Sequence, residues 1–215
     1  GWLEFVEGEY SLALGYFQEG EAAFRQFNYP RGVATGLEGL GLVHWAREGD
    51  ASASARRFLD EALEISAQLG NPLLRSRLLS TLVWVACSNS TSDEMVDHAR
   101  EANALARQID SQITLCQSSI SLGIVHLYRN EFNRGRAALA EAIDAAEKCD
   151  LSPLLNSARF YLAKTLIAES NANAIDPSAN TARTKEAIDL LSALKNDPST
   201  MWVYKVQAER LGLLT

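Results

Sequence analysis

Apolar positions recur at a helical interval along this chain, and the recurrence itself repeats about every forty residues. Leu59, Ala62, Leu63, Ser66 and Leu69 fall, one shift of forty later, on Ala99, Ala102, Asn103, Ala106 and Ile109. A second shift lands on Leu139, Ala142, Ile143, Ala146 and Cys149. The offsets within each set are 3, 4, 7 and 10, one stripe of an α-helix and not the alternation of a strand. Asn103 is the one strongly polar intruder. A tetrapeptide marks the same helix in three places: Glu61-Ala62-Leu63-Glu64, Glu141-Ala142-Ile143-Asp144 and Glu186-Ala187-Ile188-Asp189. The last copy arrives 45 residues after its predecessor, and the polar stretch from Glu169 to Asn180 reads as the inserted, exposed loop.

A second apolar pattern precedes each of these helices. Leu40-Gly41-Leu42-Val43-His44 returns as Leu122-Gly123-Ile124-Val125-His126, with Leu82 to Ala86 and Leu162 to Leu166 as the other copies. Each unit is therefore predicted to be helix, turn, helix. Glu48-Gly49-Asp50 and Asn130-Glu131-Phe132 supply two of the turns. Asn71-Pro72, Ser152-Pro153 and Asp197-Pro198 each place a capping side chain before a proline suited to the first helical turn. Thr91-Ser92-Asp93-Glu94 reads as a capping box. Gly41 and Gly123 are expected where the two helices of a unit cross closely.

These residues resemble the tetratricopeptide repeat family. Glu7-Gly8-Glu9-Tyr10-Ser11-Leu12-Ala13, with Phe17 and Gly20, is similar to the turn and second helix of such a repeat. Leu37, Leu40, Gly41 and His44, then Ala55, Leu59 and Ala62, are similar to a complete one. The forty-residue spacing resembles the longer variant found in bacterial signal-transducing ATPases and transcriptional regulators. The resemblance spans the chain and departs from the family at Val83 and Ala163, which stand where Gly is usual, and at His44 and His126, which stand where an aromatic is usual. It implies an all-α fold, a right-handed α-solenoid of stacked antiparallel helix pairs forming one domain. The expected units are 1–32 (partial), 33–72, 73–112, 113–152 and 153–196, with 197–215 as a C-terminal capping helix. Because the chain opens without Met, upstream domains are expected to precede Gly1.

Composition narrows the function. Hydrophobic residues make up 47% and charged residues 22%, and twenty basic against twenty-seven acidic side chains leave a net charge of −7. That sign repels phosphate backbones and anionic lipid, and no local basic patch offsets it, so neither nucleic acid nor membrane is an expected partner. Cys87, Cys116 and Cys149 form no Cys-x-x-Cys pair and read as free thiols in a reducing, cytoplasmic setting. The triplet Asn89-Ser90-Thr91 fits a glycosylation acceptor but sits poorly with those thiols. No phosphate-binding loop, serine elbow or His-Glu-x-x-His segment occurs, so no enzyme, cofactor or metal is expected. His44 and His126 occupy equivalent places two units apart, too far to share an ion, and are expected to pack within their units. His98 is expected to face solvent.

The resemblance also implies that the first helix of each unit lines an inner wall. Transferred to this chain, the wall carries Glu38, Trp45, Arg77, Trp84, Gln117, Ile124, Tyr128, Phe160 and Lys164. Aromatics flanked by cations suit an extended or helical peptide with carboxylates. The expected function is thus a non-catalytic domain binding a protein or peptide, as the sensor or scaffold arm of a larger regulatory protein. The alternatives are self-association or docking to upstream domains through Trp2, Phe5 and the C-terminal helix, and a small-ligand sensor, which requires an enclosed apolar pocket.

Overall fold

The computed structural model describes residues 1–49, 52–86, 92–172 and 177–210. They are all-helical, with no strand among the described residues. The helices are α1 (Trp2–Glu7), α2 (Tyr10–Gln26), α3 (Pro30–Glu48), α4 (Ala53–Gln68), α5 (Pro72–Ala86), α6 (Asp93–Ile109), α7 (Gln112–Tyr128), α8 (Phe132–Lys148), α9 (Ser152–Ala172), α10 (Pro177–Asn196) and α11 (Trp202–Arg210).

Local chemistry sets many of these ends. The Asn71 side chain accepts the Leu74 N–H at 3.0 Å and Ser52 Oγ accepts the Ala55 N–H at 3.0 Å, opening α5 and α4. Asn28, Gly70, Asp110 and Asp150 adopt left-handed φ values of 51°, 57°, 55° and 53° just past α2, α4, α6 and α8. That conformation turns the chain out of one helical pair and into the next, and Gly, Asn and Asp tolerate it best. Asn130, at φ 58°, makes the turn between α7 and α8.

Each helix packs on its sequence neighbours, and α3, α5, α7 and α9 also pack on one another in sequence. The repeated stripe is what these contacts bury: Ala55, Leu59 and Ala62 on α4, Ala99, Ala102 and Ala106 on α6, Leu139, Ala142 and Ala146 on α8. Small residues let the helices approach closely. A Cβ placed on Gly41 would lie 3.0 Å from Leu59 Cγ and one on Gly123 2.5 Å from Leu139 Cγ, so both glycines sit at the crossing inside their pair. Polar residues join one pair to the next. The buried Asn103 amide donates to Ser118 Oγ and Ser119 Oγ, each at 3.2 Å, and accepts from Arg107 Nε at 3.0 Å.

Four expectations need correction. The stretch from Glu169 to Asn180 is mostly helix: α9 runs to Ala172 and α10 starts at Pro177. Glu169 is buried, and its charge is balanced by Arg136 at 3.4 Å and Arg183 at 3.3 Å. Asp197 caps a turn and not a helix, because its Oδ1 accepts from the Ser199 N–H at 2.8 Å and α11 begins only at Trp202. Ser92, with no side-chain cap bond, is the N-cap of α6, while Thr91 lies outside the described residues, as do Asp50, Cys87 and the Asn89-Ser90-Thr91 triplet. His98 is half-buried, with its Nδ1 fully enclosed, where solvent exposure was expected.

Candidate functional site

The described helices curl until α1 reaches α11. α1 touches α11, and the Gly8 backbone lies so close to Trp202 that a Cβ there would approach its ring at 2.6 Å. Gly8 takes a φ of 86°, a left-handed value open to glycine, which is what brings the end of α1 against the indole. Beside this contact lies a partly open cavity of about 290 Å³. All five helices α1, α3, α5, α7 and α9 line it, and Met201, just before α11, completes the wall.

Its lining is apolar with one charged pair. Trp2, Phe5, Leu42, Trp45, Trp84 and Leu154 give the walls, while Glu38, Arg77, Thr81 and Gln117 supply the polar groups. Glu38 is 2% exposed. Its Oε1 accepts from Thr81 Oγ1 at 2.9 Å and its Oε2 lies 3.0 Å from Arg77 Nε. The pair is close but not aligned as a hydrogen bond, since both atoms are buried without a bonded partner. Burial therefore outweighs the neighbouring guanidinium and the threonine hydroxyl, and pushes the Glu38 carboxyl above its ordinary value. Arg77 Nη2 donates to Thr35 Oγ1 at 3.1 Å.

The expected inner-wall residues thus separate into three groups. Glu38, Trp45, Arg77, Trp84 and Gln117 converge on the cavity. Tyr128 and Lys164 line a separate, more open depression beside Leu127 and Ile167. Lys164 Nζ donates to Tyr128 Oη at 3.2 Å and sits 5.5 to 5.6 Å from the ring centres of Tyr128, Phe160 and Tyr161. Its cation is held by aromatic faces. Ile124 and Phe160 belong to the core, 1% and 0% exposed, and cannot serve as wall residues. Ile124 is sealed where α7 packs between α5 and α9. Phe160 is sealed because α11 folds over the last pair and stacks Tyr204 on it, ring centres 4.7 Å apart.

Sequence reasoning marked Trp2, Phe5 and the C-terminal helix as docking elements but did not place them over the inner wall. Trp2, Phe5 and Val6 on α1 and Met201 before α11 line the same cavity, and they partly cover what would otherwise be an open wall. The only signal was the apolar, aromatic character of both ends. The histidines lie elsewhere: His44 Nδ1 is 2.6 Å from Glu48 Oε1 and the ring is tilted against Phe58, and His126 Nδ1 is 2.8 Å from Glu131 Oε2. Among the described residues no three His, Cys, Asp or Glu side chains are placed to hold a metal, and no helix is long and apolar enough to cross a membrane. No family model and no curated protein matches the chain.

Proposed function

We propose that this chain is a non-catalytic binding domain of tetratricopeptide-like repeats, wound as a right-handed α-solenoid, that serves as the cytoplasmic sensor arm of a regulatory protein. Its ligand is a small molecule seated in the cavity inside the curled row of helices. One observation carries this reading: α1 meets α11 and partly covers a cavity of about 290 Å³ lined by three tryptophans and one ion pair. Pockets for small ligands are concave, mainly apolar and carry a few convergent polar groups, and this volume lies at the small end of their range. A long peptide needs an open wall, and here much of that wall is covered.

The test fills the space. Titration with 1-hexanol or toluene is expected to saturate one site per chain, followed by tryptophan emission from Trp45 and Trp84. Leu42→Trp should abolish saturation while leaving the melting temperature close to wild type. Saturation that survives the substitution refutes the reading.

A second reading, protein binding or self-association, is favoured by the exposed apolar residues Leu3, Leu12 and Tyr16 on α1 and α2. Sedimentation at rising concentration tests it: Tyr16→Glu should dissociate any dimer, and a concentration-independent monomer excludes self-association.

A further inference from the structure

The polar groups of the cavity differ in what they still have to offer a ligand. Glu38 has Oε1 bonded to Thr81, while its Oε2 is ion-paired with Arg77 at 3.0 Å without an aligned hydrogen bond. Arg77 spends Nη2 on Thr35 and faces Glu38 through Nε, whereas its Nη1 has no partner among the described residues. The Arg77 side chain as a whole remains 28% exposed. The half-buried Gln117 side chain has no partner among the described residues either, and Trp84 Nε1 is a buried N–H without one. The unspent capacity is mainly N–H donors within a largely apolar lining. Among the described residues, Glu38 and Arg77 are the ionisable ones lining it.

Building on the proposed role of this cavity as a ligand site, we infer that the ligand is a small apolar monocarboxylate, its carboxylate on Arg77 and Gln117 and its hydrocarbon or aryl body against Leu42, Trp45, Trp84 and Met201. A guanidinium with free N–H groups recognises a carboxylate through short, charge-assisted bonds about twice as strong as neutral ones. An organic cation finds aromatic faces here but meets Arg77 at the polar end, and the one carboxylate able to balance it is already held. A neutral alcohol removes water from the guanidinium and returns no charge.

Three probes with one eight-carbon chain separate these classes: octanoate, 1-octanol and octyltrimethylammonium, each below its aggregation concentration and followed by calorimetry and tryptophan emission. Octanoate is expected to bind at least about tenfold more tightly than the other two. Glu38→Gln leaves the positive charge of Arg77 uncompensated and should tighten octanoate about tenfold without helping 1-octanol. Arg77→Met combined with Glu38→Gln, a neutral wall, should bring octanoate down to the level of 1-octanol. Equal or tighter binding of the alcohol or the ammonium overturns the carboxylate inference and leaves the cavity as a ligand site. Binding of none of the three overturns both. Should the double variant fail to fold, Glu38→Gln decides: an unchanged octanoate affinity refutes the role of Arg77.

Discussion

Two glycines offer a matched pair of substitutions whose difference reads the helix crossing directly. Gly123 and Gly135 are both buried, on the facing helices α7 and α8. Replacing either by Ala in a helix gains about 1 kcal/mol from propensity alone. At Gly135 the new Cβ meets nothing closer than 3.5 Å, ordinary contact, so that gain should survive. At Gly123 it lies 2.5 Å from Leu139 Cγ and 2.7 Å from Cδ2. Leu139 is fully buried, so overpacking of about 1–3 kcal/mol is expected. Propensity cancels between the two variants and leaves a gap of about 1–3 kcal/mol. At roughly 2–4 °C per kcal/mol for a chain of this size, the melting temperatures should differ by about 2–12 °C, with Gly135→Ala the higher. Urea denaturation followed by circular dichroism gives the same difference in free energy. In a Leu139→Ala background the penalty at Gly123 should vanish, because the colliding atoms are gone. Equal shifts for the two variants, or a penalty that persists without the Leu139 side chain, would refute the assigned crossing.

Other outcomes follow from single sites. Burial pushes the Cys116 thiol up to about 12, while Cys149 is exposed, so a thiol reagent at pH 8 should modify Cys149 at once and Cys116 only on unfolding; equal rates in the native protein contradict the burial. Because the folded Glu38 carboxyl sits above its unfolded value, its contribution is full below the unfolded value and is lost as pH rises through the folded one; the stability of Glu38→Gln relative to wild type should therefore improve with rising pH across that window, measured by urea titration at several pH values. Asn103→Ala removes both serine bonds and the Arg107 contact and should cost about 1–3 kcal/mol, and a neutral result would mean the network is idle. Gly8→Ala should lower stability by about 1–2 kcal/mol through its left-handed φ and the collision with Trp202, and Trp202→Ala should relieve only the collision part.

The helical pairs were legible because burial acts on every turn of the helix: the Leu/Ala stripe repeats wherever a second helix must enter its neighbours. Gly41 and Gly123 were legible for the same reason, since close crossing admits only a small side chain. Asn103 stood out as a misfit in its stripe, and the serines that satisfy it lie on the following helix, at a distance no local pattern reveals. The same limit hid the Glu169 pairing, where a run of polar residues reads as loop although two arginines neutralise the buried Glu169 carboxylate. For the site, position on the inner helix was enough to group Glu38, Trp45, Arg77, Trp84 and Gln117. It was not enough for Phe160 and Ile124, whose exposure depends on how far the row curls and on what α11 covers. Curvature accumulates from small rotations at each pair, and no single residue encodes it.

The meeting of α1 with α11 has a consequence for how such an array can change. Open stacks of repeats gain or shed a member at little cost, because each touches only its neighbours. Here α1 and α11, far apart in sequence, are also neighbours, like two staves meeting at a seam. Inserting or deleting one forty-residue unit between them would part that seam and open the cavity beside it.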